Sequence, residues 1–498
     1  MFKTLLLSSL VLNTGLLLGR LSGFVREGVV ASTYGVGSDA DVVILMLTIP
    51  DFLVNILMGG ALGVTLIPEF IKAPETARRL LYQALFFFGV IFFIITLCLN
   101  LNMGVLVSTL APGLSDIQHC KTTESIRWVI WMVPLSVVTG VITAFLQAKY
   151  QYAVPAMGTL IVNSSIIVGL VIAHFINGNL FVLSTFILLG GVLRLVSQLA
   201  RIGSINLYPI KITQPFIISK ALFFRYVQAV ASGCTLLLFP VVGRSQASYM
   251  EEGSVAVLNY VSKLIEFPLA LTVTFLSVIL LPKLSQSYFE NKIVHMKVVK
   301  YGMQITLVLS VLSASALSAI SEVYSSSVFG YGKITTEDIS SIADLVSLGM
   351  VLLPLMGMAT YLTAVFNSRK NTLAPFIVNF SGLIGFVLIY ESKVYGADLS
   401  AIILSMAWGY AMISIIFMVL LFASCFSQLS EFFDVKILIS TLISSFFIYE
   451  GGSWLQGYGI TNWLVISIVA LQSILFLSVI ACLDNEIREK IKLKIRTI

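Results

Sequence analysis

"LLLGRLSGFVREGVVASTYGVGSDADVV", residues 16–43, decides the class of this chain. It continues an apolar run that begins at Leu5. Arg20 and Arg26 stand inside that run, and Asp39 and Asp41 follow a turn that contains Gly35 and Gly37. About 20 apolar residues suffice to cross a bilayer. A charge at that depth is costly unless it faces water or a partner. Two arginines here mark either a water-filled cavity for an anion or ion pairs with Glu27, Asp39 or Asp41 that hold helices together.

Working outward, the same apolar texture recurs along the whole chain. Of 498 residues, 58% are hydrophobic and only 11% charged, with a mean hydropathy of +0.99. Soluble domains carry about 25% charged residues. The composition therefore excludes a soluble domain and predicts an all-α polytopic membrane protein. About fourteen stretches are long enough to span, the first near 4–34, the second near 40–68 and the last near 461–483. Lys3 before the first stretch would also suit a signal peptide, but no small-residue cleavage site follows, so the stretch is expected to be a retained helix.

Lys and Arg in the connecting segments set the orientation. With the N-terminus inside, the inner segments hold twenty of the thirty basic residues, including Lys72, Arg78, Arg79 and the Arg488–Arg496 tail. The outer loops hold Lys121, Lys333 and Lys393, with Arg127 at a span edge. Both termini are thus expected in the cytoplasm. The net charge of +6 is explained by this topology signal and by anionic lipid, with no nucleic-acid partner required.

An internal repeat organises the chain. "AFLQAKYQYAVPAMGTLIVN" (144–163) resembles "AVFNSRKNTLAPFIVN" (364–379), with Ala144, Lys149 and Pro155 matching Ala364, Arg369 and Pro375 at a constant offset of 220. "IPDFLVNILMGGALGVTLIPEF" (49–70) resembles "LIEFPLALTVTFLSVILLPKLS" (264–285) more loosely. Both pairs run in the same direction, so the repeat is parallel, an arrangement transporters use. The expected division is spans 1–6 in 1–205, spans 7–12 in 206–426, and spans 13–14 with a basic tail in 427–498. The segment 201–220 is the expected linker.

Few charges lie within or beside spans. Arg20, Arg26 and Lys263 form the informative set, two from span 1 and one from span 8. If the halves face each other, they can line one cationic cavity, and arginine forks match phosphate oxygens. Lys263 and Glu266 stand at i, i+3 and suit a local pair. Arg194, Arg225 and Arg244 are expected to snorkel or lie at the interface, and Asp51, after Pro50, to mark a helix break. Gly19 and Gly23 make a face for close helix approach. Catalytic and cofactor signatures are missing: the five cysteines are scattered without metal spacing, "GYGKITTED" (330–338) is not a phosphate-binding loop, and no Ser–His–Asp or HExxH pattern occurs. No cofactor, metal or enzymatic activity is expected.

At this point the chain resembles a known family. "GRLSGFVREGVVASTYGVGSDADVV", "IPDFLVNILMGGALGVTLIPEF", "APGLS" (111–115), "AFLQAKYQYAVPA" (144–156), "GGVLRLVSQL" (190–199), "KLIEFPLALTVTFLSVILLPKLS" (263–285), "VFGYGKITTED" (328–338) and "NSRKNTLAP" (367–375) are similar, in order, to segments of the MurJ (MviN) lipid II flippases. These belong to the multidrug/oligosaccharidyl-lipid/polysaccharide (MOP) exporter superfamily. The resemblance implies fourteen helices in two six-helix lobes plus two C-terminal helices that flank a groove for the lipid tail. It implies an undecaprenyl-diphosphate-linked cargo, alternating access in the bacterial inner membrane, and cell-wall synthesis proteins as partners. Arg20, Arg26, Lys263, Asp41 and Glu27 match the family's substrate-site positions. Lys263 stands where the family usually has arginine, Val54 where many members have another arginine, and Gly59 where they often have glutamate. Two other readings stay open: a paralogue carrying a different polyprenyl-diphosphate glycan, and a cation-coupled drug exporter, against which the basic charges of span 1 argue. A membrane-embedded glycosyltransferase would want a large outer loop, and the outer loops near 111–126 and 323–341 are short.

Overall fold

The computed structural model describes residues 2–53, 62–72, 76–176, 179–203, 220–369, 373–425, 434–456 and 462–483. Every regular element among them is helical. The chain forms two compact units, Met1–Asn259 and Tyr260–Ile498.

The first unit contains α1 (Phe2–Tyr34), α2 (Ser38–Leu53), α3 (Leu62–Lys72), α4 (Ala77–Leu101), α5 (Met103–Leu110), α6 (Asp116–Val129), α7 (Met132–Ala148), α8 (Ala153–Phe175), α9 (Leu180–Gly203), α10 (Lys220–Ala247) and the first turns of α11 (Ser254–Leu269). Gly35 ends α1 in the left-handed region, φ 70°, and its N–H closes on the Ala31 carbonyl at 2.8 Å, as a C-terminal glycine does.

The expected Gly19–Gly23 face exists and is longer than expected. It begins at Gly15 and meets α8. A Cβ on Gly15 would fall 2.5 Å from the Ala156 Cβ, one on Gly19 3.1 Å from the Thr159 Cβ, and one on Gly23 3.3 Å from the Asn163 side-chain nitrogen. Without side chains on α1, the two backbones approach closely enough for Asn163 to donate to the Gly19 carbonyl at 3.1 Å and to Ser22 Oγ at 3.0 Å. In a bilayer this contact relies on packing and hydrogen bonds rather than on exclusion of water.

The second unit takes in the rest of α11, a π-helical turn (Ala270–Thr274), α12 (Phe275–Glu290), α13 (Lys292–Ala319), α14 (Ser321–Phe329), α15 (Thr336–Gly349), α16 (Leu352–Ser368), α17 (Leu373–Glu391), α18 (Leu399–Cys425), α19 (Val435–Gln456) and α20 (Asn462–Leu483). Pro268, inside α11, cannot donate a backbone hydrogen bond, and the π turn begins two residues later. Thr272 Oγ1 donates to the Pro268 carbonyl at 2.7 Å there. The last two helices pack on α13: Val308, Leu312, Ala316, Ile448, Val465 and Val469 share one buried cluster.

The repeat read at an offset of 220 is carried by whole elements. Helices α6 and α15 are both 14 residues long, and α7 and α16 are both 17. Adding 220 to Asp116, Val129, Met132 and Ala148 gives Thr336, Gly349, Leu352 and Ser368, the four bounds of the second pair. Each pair opens on a capping box, Ser115 with Gln118 and Thr335 with Asp338, so the local signal that starts the helix is kept while its residues have changed.

The described parts of the fourteen expected apolar stretches lie on helices. Among the described residues, ten helices are long and apolar enough to cross a membrane, and α15 with α16, bent by 50°, supplies an eleventh. The other three stretches correspond to α1, to α2 with α3, and to α20. The compact units divide inside α11, because its first turns are bonded to α1 and α2 through Glu27 and Asp41. Compactness and repetition are different criteria, so the division at 205 and 426 remains a proposal about the repeat.

Candidate functional site

Arg26 lies on α1, facing α2 and α8, with only 3% of its surface exposed. Its Nη1 donates to Asp51 Oδ1 at 2.9 Å and to Asn163 Oδ1 at 3.3 Å. Its Nη2 donates to Glu27 Oε1 at 2.5 Å and to Asp51 Oδ2 at 2.6 Å. The Nε is buried with no acceptor among the described residues. Asp51 therefore grips both ends of the guanidinium fork, the geometry that arginine offers to carboxylate and phosphate alike.

The cluster reaches further. Glu27, 2% exposed, accepts through Oε2 from Asn259 Nδ2 at 2.9 Å, and Asn259 Oδ1 accepts from Arg244 Nη1 at 2.6 Å. One continuous network thus ties α1, α2, α8, α10 and α11 together. Its formal charges cancel, Arg26 and Arg244 against Glu27 and Asp51. A charge-balanced, hydrogen-bonded set is the form in which ionic groups survive in an apolar interior.

Asp41 stands apart from this cluster. Its carboxylate accepts from the Gly253 N–H at 2.7 Å and the Ala256 N–H at 2.8 Å. It caps the first turn of α11 and complements the positive end of that helix. Gly253, at φ 95°, packs so closely on Val36 and Gly37 that an added Cβ would lie within 3 Å of both.

Arg20 is exposed on α1, six residues and about 9 Å along the axis from Arg26. In the second unit, Lys263 Nζ donates to Glu266 Oε2 at 3.0 Å, both side chains partly exposed, which is the local pair that their spacing suggested. Val54 and Gly59 lie outside the described residues.

Of the residues singled out in the first unit, Arg26 and Glu27 share one cluster, and Asp41 bonds the start of α11 instead. Of the expected partners of Arg26, Glu27 is one, Asp39 and Asp41 are not, and Asp51 is a second that the sequence did not single out for it. Asp39 instead faces Lys121 at 3.0 Å on the surface. Asp51 is itself helical within α2, and the residues from 54 to 61, where a break would follow, lie outside the described residues. Arg194, expected to snorkel, is 5% exposed, held over the backbone at Gly158, where a Cβ would come within 3.0 Å of the guanidinium. Arg225 does lie at an exposed position, paired with Glu69 at 2.8 Å. Asn163 and Asn259 had a signal that went unread: a lone asparagine inside an apolar span needs bonded partners.

A family model for the lipid II flippase MurJ matches residues 30–473. The chain belongs to the lipid II flippase MurJ family. Relatives include a probable lipid II flippase MurJ from Rickettsia prowazekii, 24% identical over 76% of each chain. A second, from Thermotoga maritima, is 23% identical over 88% of each. The lipid II flippase MurJ of Burkholderia cenocepacia is 23% identical over 66% of each. Among solved structures, an inward closed conformation of lipid II flippase MurJ superposes with a TM-score of 0.79, at 18% identity over 95% of this chain and 98% of that one. An inward-facing multidrug resistance MATE transporter of the MOP superfamily gives 0.68, at 12% identity over 80% and 93%. The chain shares its fold with both structures, and it is a multi-pass membrane protein.

Proposed function

We propose that this protein carries lipid II, the undecaprenyl-diphosphate-linked peptidoglycan precursor, from the inner to the outer leaflet of the bacterial cytoplasmic membrane by alternating access. The family match over residues 30–473 carries this reading. The basic charges fit the cargo: Arg20, Arg26 and Lys263 hold the diphosphate, with Arg26 as the fork and Lys263 as a point charge. Glu27 and Asp41 act behind them. Glu27 fixes the orientation of Arg26, and Asp41 fixes the start of α11, the helix that bears Lys263.

Both termini lie in the cytoplasm, as the basic inner segments dictate. A negative interior favours outward movement of an anionic headgroup by about 2.3 kcal/mol per charge per 100 mV, which makes membrane potential a sufficient driver. No cargo bond is made or broken, so the protein is a transporter and not an enzyme. Cell-wall synthesis proteins that use the cargo on the outer face are its partners in this reading.

Lys263, Val54 and Gly59 favour a second reading, a different polyprenyl-diphosphate-linked glycan as cargo. Depletion of the protein, with the accumulated precursors identified by mass spectrometry, separates the two. Accumulation of lipid II supports the first. Accumulation of another lipid-linked glycan with lipid II unchanged replaces it with the second.

A further inference from the structure

Asp51 holds Arg26 in an unusual way. Its two carboxylate oxygens bond the two terminal nitrogens, at 2.9 and 2.6 Å, so it occupies the fork as a phosphate would. The other acid on that fork, Glu27, is sealed in, with 3% of its side chain exposed, whereas 34% of the Asp51 side chain is exposed. Glu27 follows Arg26 on the same helix, while Asp51 lies on α2. Of the two carboxylates, Asp51 is the less enclosed, so moving it off the fork disturbs less of the packed surroundings than moving Glu27 would. With Asp51 in place, the charges of Arg26 and Arg244 are matched by those of Glu27 and Asp51. An arriving anion would meet a fork already held by a carboxylate.

We propose that Asp51 is a built-in competitor for the cargo: its carboxylate occupies the Arg26 fork when the site is empty and must be displaced for a diphosphate to bind. Asp51 thereby sets cargo affinity, acting through Arg26 without being a ligand itself. This rests on the proposed role of Arg26 in holding a diphosphate. The competition selects for ligands: a neutral lipid headgroup cannot match a carboxylate on an arginine fork, whereas a diphosphate can.

The test uses the full-length protein in lipid nanodiscs with undecaprenyl diphosphate as the probe. Asp51→Asn keeps the shape but removes the competing charge, and should tighten binding by about tenfold or more, equivalent to about 1.4 kcal/mol per factor of ten. Asp51→Glu, which keeps the charge, should bind within a few-fold of the parent protein. In an Arg26→Gln, Glu27→Gln background, which should keep the protein in the membrane, Asp51→Asn should have no effect. A second measurement needs no variant: carbodiimide labelling of Asp51, read by peptide mass spectrometry, should speed up when the probe is added, because the carboxylate has left its arginine. Equal or weaker binding by Asp51→Asn, or labelling that slows or stays constant with the probe bound, overturns the competitor while leaving the diphosphate site standing. Absence of binding by the parent protein and Asp51→Asn alike would remove the diphosphate site itself, and this inference with it.

Discussion

Arg20 and Arg26 differ by six positions on one helix, yet their replacement should have opposite consequences. Arg26→Gln leaves Glu27 with one remaining donor, Asn259, and no counter-charge at a side chain that is 3% exposed. Removing one partner of a buried ion pair typically costs about 3–5 kcal/mol. Asp51 adds little to that figure, because its partly exposed carboxylate can turn to water, and pairs in contact with solvent are worth about 0–1 kcal/mol. The net expectation is a loss of about 3–5 kcal/mol for Arg26→Gln, and a large fall in the amount of protein accumulating in the membrane. Arg20→Gln, at an exposed position, should leave abundance unchanged while transport is lost. Abundance is read by fluorescence-detected size-exclusion chromatography, and transport by accessibility of the lipid-linked precursor from outside the cell. The double variant Arg26→Gln with Glu27→Gln should recover abundance but not transport. Full abundance of Arg26→Gln alone would refute the reasoning, since it would mean that Glu27 finds compensation without its arginine.

Other consequences follow from the same geometry. Asp41→Ala strips two N–H groups of their acceptor at the start of α11 and should cost about 1–3 kcal/mol, seen as a lower unfolding temperature in detergent; Asp41→Asn should cost less, because one oxygen remains. Gly15→Leu drives a side chain into Ala156, whose Cβ would lie only 2.5 Å from the new Cβ; overpacking of about 1–3 kcal/mol should appear as reduced abundance, and a variant of normal stability would argue against the α1–α8 contact. A single cysteine at Ser115, in a background lacking native cysteines, should react with a membrane-impermeant maleimide in intact cells, whereas one at Thr76 should not; the reverse pattern would invert the topology.

The architecture was readable because its signals are local. Helix starts persist as cap residues, and the match of Lys149 with Arg369 and of Pro155 with Pro375 tracks the junctions after α7 and α16. Both basic residues end a helix and stack on a phenyl ring nearby, Lys149 on Phe145 and Arg369 on Phe366. The site was only half readable. Arg26 announces itself by its cost in a membrane, but its partners lie 25 and 137 residues away, and nothing in their own neighbourhoods marks them as a set. Asp51 was masked by Pro50, whose usual meaning is the end of a helix. Arg194 was misread because a basic residue in a span is commonly solved by reaching the interface, whereas Gly158 gives this one a place to lie against bare backbone.

These details bear on how an anion can be drawn into a neutral cluster. If Arg26 were a free cation, its burial would be costly and its attraction for any anion indiscriminate. Balancing it with Glu27 and Asp51 removes both problems and replaces attraction by exchange. A ligand gains only the difference between its own bonds to the fork and those of the carboxylate it displaces. Glu27 cannot be the group exchanged, since it also accepts from Asn259 and lacks access to water. Asp51 is the less enclosed of the two, and its release uncovers the positive fork of Arg26 for the cargo. Affinity gained in that way is reversible when Asp51 returns, so binding and release use one displacement run in two directions.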